Sequence, residues 1–142
     1  SRGIGVVYKD SYNKSSGCIN KIKISDSFSD GADFDFSKLD IKGITVENSG
    51  NDCADFSYGE YTVRNAIFIN CGDKAVSVGE KSKLKLKDFK INKTSIGVVS
   101  KDSSNVLVAN GQINNNQNYC LGSYNKKQEF FGSLLKVQNS EC

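Results

Sequence analysis

The sequence predicts an all-β fold, a parallel β-helix (solenoid) of about six coils with little or no helix. Three observations predict it. A short motif recurs along the 142 residues, its copies lie about 22 residues apart, and no segment has the apolar spacing of an amphipathic helix. A repeat of this kind cannot bury its apolar side alone, so neighbouring copies must stack. We therefore expect one domain, residues 1–142.

The clearest copy of the motif is residues 65–72, with Phe68 and Asn70 as an anchor pair. The same two places hold Ile24 and Asp26, Val46 and Asn48, Ile91 and Lys93, Ile113 and Asn115, and Val137 and Asn139. We expect the apolar members to stack inside the cylinder. The polar members should form a ladder at the next turn, because Asn and Asp tolerate left-handed backbone. Lys93 interrupts that ladder, so we expect a different turn there.

Each repeat carries two apolar clusters, a short one and a longer, alternating one. The short clusters are residues 4–7, 32–34, 54–56, 75–78, 96–99 and 120–121. The longer clusters end at the apolar anchors of the motif. Such β-branched runs between Gly, Asn, Asp and Ser predict short strands joined by tight turns. A leucine-rich repeat has a similar period, but Leu is too sparse here and the Asn spacing differs.

Composition restricts the class of protein. There is no Met, so we expect a processed product or a fragment of a longer chain. No apolar run approaches the roughly 20 residues of a membrane span. There is also no His, which excludes Ser-His-Asp and Cys-His catalytic arrangements and imidazole metal sites. Nucleic-acid binding is not expected, because no recognisable motif accompanies the basic residues.

Five cysteines favour an oxidising compartment, so we expect a secreted or cell-surface protein. Cys120 and Cys142 occupy nearby places on successive coils, whose spacing of about 4.8 Å suits a disulfide. They form the first predicted pair. Cys53 and Cys71 form the second, which leaves Cys18 unpaired. The alternative is a cytosolic protein with five reduced, buried cysteines.

The Asn-x-x-Phe-x-Asn pattern of residues 65–70 and its copies resembles the repeats of the pectate-lyase-like superfamily. The resemblance covers essentially the whole chain from Gly3. Segments 71–82, 96–104 and 124–130 are also similar to uncharacterised secreted bacterial β-helix proteins. The resemblance implies a right-handed parallel β-helix. Many members act on or bind polysaccharides, so a polysaccharide partner is implied at the level of fold.

The strongest candidate for chemistry is the turn after each short cluster. Stacked coils should align Tyr58, Glu80, Asp102 and Asn125 in one stripe. The candidate catalytic residues are Tyr58, Glu80, Lys81, Lys101, Asp102 and Lys126, and the candidate ligand-binding residues beside them are Tyr124, Asn125 and Lys127. Lys or Tyr with a lowered pKa could remove the α-proton of a uronic acid, and Glu80 with Asp102 could hold Ca²⁺. The alternative is a network of solvated turn charges.

The second candidate is a basic column on the outward side of the longer clusters, where Lys42, Arg64 and Lys87 occupy equivalent places. Like charges opposite one another on paired strands are destabilising. An anionic polymer lying along the solenoid axis would relieve the repulsion, so Lys42, Arg64 and Lys87 are candidate ligand-binding residues. The long side chains can also relieve it by splaying into water, and the sequence favours this second interpretation of the column.

Paired aspartates are a third feature to weigh. Asp33, Asp35 and Asp55 superficially resemble the aspartates of polysaccharide hydrolases with this fold. However, Asp55 alternates with Ala54 and Phe56, which predicts a surface strand residue rather than a catalytic one.

These observations favour an extracellular or surface module with a binding or structural role, contacting an acidic polysaccharide or a partner protein. One alternative is a polysaccharide lyase acting on a uronic-acid polymer. Another is a filament or spike subunit that assembles end to end. Apart from the Ca²⁺ considered above, no cofactor is expected.

Overall fold

The computed structural model describes residues 6–9 and 15–142, which fold as a parallel β-solenoid of about 5 turns with a period of about 22 residues. The strands are β1 (Val6–Lys9), β2 (Ser15–Ile19), β3 (Ile22–Ser27), β4 (Ala32–Asp35), β5 (Ser37–Ile41), β6 (Ile44–Ser49), β7 (Ala54–Ser57), β8 (Glu60–Gly79), β9 (Lys83–Lys101), β10 (Asn105–Asn114), β11 (Tyr119–Tyr124) and β12 (Leu134–Glu141). No helix occurs within these residues. The predicted all-β solenoid is confirmed.

Successive coils stack three columns of strands, which form three faces. The first face contains β1, β4, β7, residues 74–79 of β8, residues 96–101 of β9, and β11. The second face contains β2, β5, residues 60–64 of β8, residues 83–87 of β9, residues 105–109 of β10, and residues 134–138 of β12. The third face contains β3, β6, residues 66–71 of β8, residues 89–94 of β9, residues 111–114 of β10, and the last two residues of β12, Ser140 and Glu141. Strands β8 and β9 are long because they continue through the corners between faces.

The apolar ladder of the motif lies inside the solenoid. Ile24, Val46, Phe68, Ile91 and Ile113 are register partners in consecutive strands of the third face. Each of these side chains is buried. Burial of a side chain of this size contributes roughly 1.5–3 kcal/mol. The predicted interior ladder is therefore confirmed for these five copies.

The polar ladder follows at the next corner. Asn48 Nδ2 donates to Asp26 Oδ1, and Asn70 Nδ2 donates to Asn48 Oδ1, each at 2.9 Å. These three residues are left-handed, with φ of 59°, 60° and 56° for Asp26, Asn48 and Asn70. Lys93 has a φ of 58°, so the different turn expected there is wrong. The strand register on both sides of the corner requires the same backbone, whatever side chain occupies it.

The last copy of the motif is not where its spacing placed it. Val137 pairs with Val108 of the second face, and Asn139 Nδ2 donates to Asn110 Oδ1 at 2.8 Å. The assignment of Val137 and Asn139 to the ladders of the third face was therefore wrong. A long loop, residues 125–133, replaces the short turns 80–82 and 102–104 of the two preceding coils. Because this loop adds residues to the coil, Val137 still lies in the second face, although its distance in sequence from Ile113 suggested the third face.

Both predicted disulfides are present. Cys53 pairs with Cys71 at a Cα separation of 5.3 Å, and Cys120 pairs with Cys142 at 6.1 Å. Cys18 is a free, exposed cysteine, as expected. Two disulfides are compatible with an extracellular location. In the part of the chain that the structure describes, no helix is long and apolar enough to cross a membrane.

Candidate functional site

The turn stripe lies at the corner between the first and second faces. Tyr58, Glu80 and Asp102 stack there on successive coils with left-handed φ values of 48°, 45° and 51°. The backbone N–H of Tyr58 donates to the carbonyl of Glu80 at 3.2 Å, and that of Lys81 donates to the carbonyl of Asp102 at 2.9 Å. The stacking expected for these three residues is therefore present.

Asn125 does not continue the stripe as a fourth turn. It begins the 125–133 loop, and its Nδ2 donates to the carbonyl of Phe130 at 2.9 Å. The loop is held by Asp102, whose Oδ1 accepts the backbone N–H groups of Lys126 at 2.7 Å and Lys127 at 2.8 Å. The side chains of Asn125, Lys126 and Lys127 are consequently placed by this loop rather than by a regular coil.

Glu80 also anchors the 125–133 loop. Lys127 Nζ lies 2.6 Å from Glu80 Oε1, and Ser57 Oγ donates to Glu80 Oε2 at 2.7 Å. The hydrogen bond to Glu80 raises the pKa of Lys127. Asp102 is fully buried, and its Oδ2 has no hydrogen-bond partner among the described residues. Over the same residues, no group of three His, Cys, Asp or Glu side chains is placed to hold a metal ion.

Aromatic rings flank the stripe, an arrangement that the sequence reasoning did not anticipate. Phe36 and Tyr58 stack with centroids 4.6 Å apart and ring planes 2° apart. Phe130 of the loop lies 6.4 Å from Tyr58, and Lys81 Nζ lies 6.0 Å from the Phe130 centroid. The sequence could have indicated this stacking, because Phe36 and Tyr58 are one period apart. Tyr58 packs against Phe130 of the loop, and Phe36 stacks on Tyr58.

Lys101 is not one of the solvated turn charges that the alternative interpretation of the stripe expects. It is only 9 % exposed, and its Cε lies beside Gly79 of the preceding coil. It forms no ion pair among the described residues. Asp55, on the outward side of the first face, is partly buried rather than a fully exposed strand residue. Burial raises the pKa of Asp55, while Ser77 and Lys101 act in the opposite direction.

Tyr124 lies near a different cluster at the corner between the third and first faces. Burial raises the pKa of Tyr124, and the nearby Lys74 opposes that effect. Lys74 Nζ lies 2.6 Å from Asp73 Oδ2 and 3.8 Å from Asp52 Oδ1. Asp52 is buried, which raises its pKa to about 6 despite the N–H donated by Lys74. The backbone of Tyr124 adjoins the turn stripe as well, because its carbonyl accepts the N–H of Asp102 at 3.3 Å.

The basic column belongs to a larger charged surface, which we call the cationic face. Arg64 and Lys87 are register partners, and Lys42 follows the pair formed by Ile41 and Val63. The outward positions of the second face carry seven exposed cations, Lys38, Lys42, Arg64, Lys83, Lys85, Lys87 and Lys136. They carry only two carboxylates, Asp40 and Glu60. Since the whole chain has a net charge of +3, positive charge is concentrated here.

The cationic face is concave and its cations are unpaired. An open groove of about 460 Å³ runs across it, lined in part by Lys38, Arg64 and Lys85. None of the seven cations forms a salt bridge within residues 15–142. Sequence reasoning identified Lys42, Arg64 and Lys87 but missed the other four. The sequence could have indicated these four cations, because they alternate with apolar residues along the strands of the second face.

No protein-family model, curated protein or solved structure matches this chain. Its classification therefore rests on its own architecture, a parallel β-solenoid with two disulfides.

Proposed function

We propose that this protein is a non-catalytic extracellular module that binds an acidic polysaccharide along its cationic face. The observation that carries the proposal is the set of seven exposed, unpaired cations on the cationic face, four of which line an open groove. The two disulfides support the extracellular location, because such bonds persist in oxidising compartments. The repeat motif supports membership of the pectate-lyase-like superfamily.

The arrangement of the cations fits a polymer better than a small anion. Coils repeat about every 4.8 Å, so Lys42, Arg64 and Lys87 repeat their charge along the axis at that interval. Stacked like charges repel one another, and this repulsion is unrelieved in the free protein. A polyanion lying parallel to the axis would neutralise several coils at once. Exposed charges also accelerate association with a partner of opposite charge. Salt weakens both the attraction and this acceleration.

Binding of polygalacturonate, measured by isothermal titration calorimetry at low and high salt, tests the proposal. We expect the triple variant K42Q/R64Q/K87Q to lose about tenfold or more in affinity, and high salt to weaken the wild type. The matched control is K21Q/K23Q/K126Q, which removes the same charge from exposed positions outside the cationic face. Equal losses in the two variants, or binding that salt does not weaken, would overturn the proposal. Tighter binding of duplex DNA than of polygalacturonate would also overturn it.

A second candidate function, a polysaccharide lyase, is favoured by one observation: Lys101, which is only 9 % exposed and forms no ion pair among the described residues, lies close enough to Asp55 to act against the rise in its pKa. Against it, two oxygens of Glu80 and one of Asp102 are engaged by Ser57 and the 125–133 loop. The test is the near-ultraviolet absorbance of unsaturated products from uronic-acid polymers. Product formation that is lost in K101M would establish the lyase; no product from any such polymer would exclude it.

A further inference from the structure

We propose that a second groove, at the corner between the second and third faces, binds an uncharged, hydroxyl-rich saccharide. This site, which we call the corner groove, is separate from the cationic face and would bind its ligand whether or not a polyanion binds there. It has a volume of about 650 Å³. It goes beyond the residues that sequence reasoning identified.

One wall of the corner groove is a column of polar side chains, one from each coil. Asn65, Asp88, Asn110 and Asn139 have left-handed φ values of 49°, 56°, 57° and 43°. They are therefore equivalent corner residues whose side chains repeat about every 4.8 Å along the axis. All four line the groove. A regular column of amides and a carboxylate offers the spacing that several sugars of one chain require.

These side chains keep unused hydrogen-bonding groups. Asn65 Nδ2 donates to the carbonyl of Lys42 at 3.0 Å, which leaves its Oδ1 available. Asn139 Nδ2 donates to Asn110 Oδ1 at 2.8 Å, which leaves Asn110 Nδ2 and Asn139 Oδ1 available. Asp88 is exposed and forms no ion pair among the described residues. Amide and carboxylate groups together supply donors and acceptors for neighbouring sugar hydroxyls.

The rest of the groove supplies an apolar contact surface. Ile67 is 39 % exposed on the outward side of the third face, next to Lys90 and Gln112 in register. Phe89 and Gly111 form part of the floor, where the glycine makes room for the aromatic ring. Ligand sites combine such apolar surface with a few placed polar groups. A pyranose ring has the same combination, with an apolar face and a polar rim.

Charge decides which saccharide the groove takes. Its lining contains two carboxylates, Asp88 and Glu141, against the single cation Lys90. The neighbouring column of the cationic face is one residue away along the chain, since Arg64 precedes Asn65 and Lys87 precedes Asp88. An anionic sugar is attracted to that column and repelled by Asp88. An uncharged sugar avoids the repulsion and uses the hydrogen bonds.

The test follows the side-chain amide signals of Asn65, Asn110 and Gln112 by NMR during titration with cellohexaose, maltohexaose or chitohexaose. We expect saturable shifts with at least one hexaose, of equal size at low and high salt. Q112A should weaken the binding at least about fivefold, whereas Q117A, the same change at an exposed position outside the groove, should not. Absence of shifts with all three hexaoses would overturn the proposal.

Two further variants separate this proposal from the cationic-face proposal. D88N retains a residue that tolerates left-handed backbone, so the corner is preserved. It should strengthen binding of polygalacturonate, because it removes the repulsion. K42Q/R64Q/K87Q should lose polygalacturonate but keep the hexaose. Loss of the hexaose in that triple variant would show that the corner groove is not an independent site.

Discussion

At the scale of the residue, the solenoid fills the left-handed positions of its corners without glycine. Fifteen non-glycine residues in the described part of the chain have positive φ, and no glycine there does. Asn and Asp tolerate this conformation, but Phe36, Tyr58 and Lys93 also adopt it, at a cost of roughly 1–2 kcal/mol each. Stacking on both adjacent coils must offset that cost. The side chains at the corners are consequently free to vary, and both candidate binding surfaces adjoin them.

Asp52 allows a prediction about pH. Burial raises its pKa from 3.8 to about 6, so the folded protein holds a proton that the unfolded chain releases. This bound proton stabilises the folded protein fully below about pH 4, and the stabilisation is lost as the pH rises through about 6. We expect the free energy of unfolding to fall by up to about 3 kcal/mol over this interval, relative to D52N. Denaturant unfolding from pH 4 to 7 measures the difference.

The control for the Asp52 prediction is D88N, which removes one carboxylate at an exposed position. Its pH profile should run parallel to that of the wild type. Parallel profiles for wild type and D52N would contradict the assignment of the pH dependence to Asp52.

At the scale of the element, the 125–133 loop is the main departure from the repeat. It joins β11 to β12 and is held to the corner by Asp102, by the Lys127–Glu80 ion pair and by Phe130. The ion pair is partly exposed, so it contributes little. The buried carboxyl of Asp102, which accepts two backbone N–H groups, is the stronger anchor.

Replacement of Asp102 should therefore loosen the loop. D102A removes the acceptor and places Ala at a φ of 51°, which should reduce the free energy of unfolding by about 1–3 kcal/mol. D102N keeps an acceptor oxygen and a residue that tolerates this φ, and should lose less. Hydrogen exchange at the amides of Lys126 and Lys127 should accelerate in D102A. Unchanged exchange there would mean that Asp102 does not hold the loop.

At the scale of the whole molecule, each coil contacts mainly its two neighbours, so stability should be close to a sum over coils. The pairing of Lys83 with Asn105, one period away, makes one coil removable in register. The arrangement also explains how charge is distributed. Each outward column can carry its own charge without affecting the shared core, so one face can be strongly cationic in a chain of net charge +3.

Deletion of residues 83–104 removes one period and no cysteine. We expect a shortened solenoid that still unfolds cooperatively, with a lower free energy of unfolding because one coil interface is lost. Circular dichroism and denaturant unfolding measure both properties. The control deletes residues 83–103, which shifts the register by one residue and turns each apolar side chain outward. Equal behaviour of the two deletions would contradict the assigned register.

The sequence by itself determined the period, the parallel solenoid and the buried ladder from Ile24 to Ile113, and it predicted both disulfide pairs. The period, the solenoid and the ladder depend on residues one period apart, such as Asn48 and Asn70, whose stacking follows directly from the spacing. Only the tertiary structure decided the face on which Val137 lies, the burial of Lys101 and the path of the 125–133 loop. Those depend on contacts such as that between Lys127 and Glu80, which are 47 residues apart and obey no repeat. In a periodic pattern, the position of one copy determines where the next copy packs. The position of an irregular loop instead depends on contacts with residues that are distant in sequence.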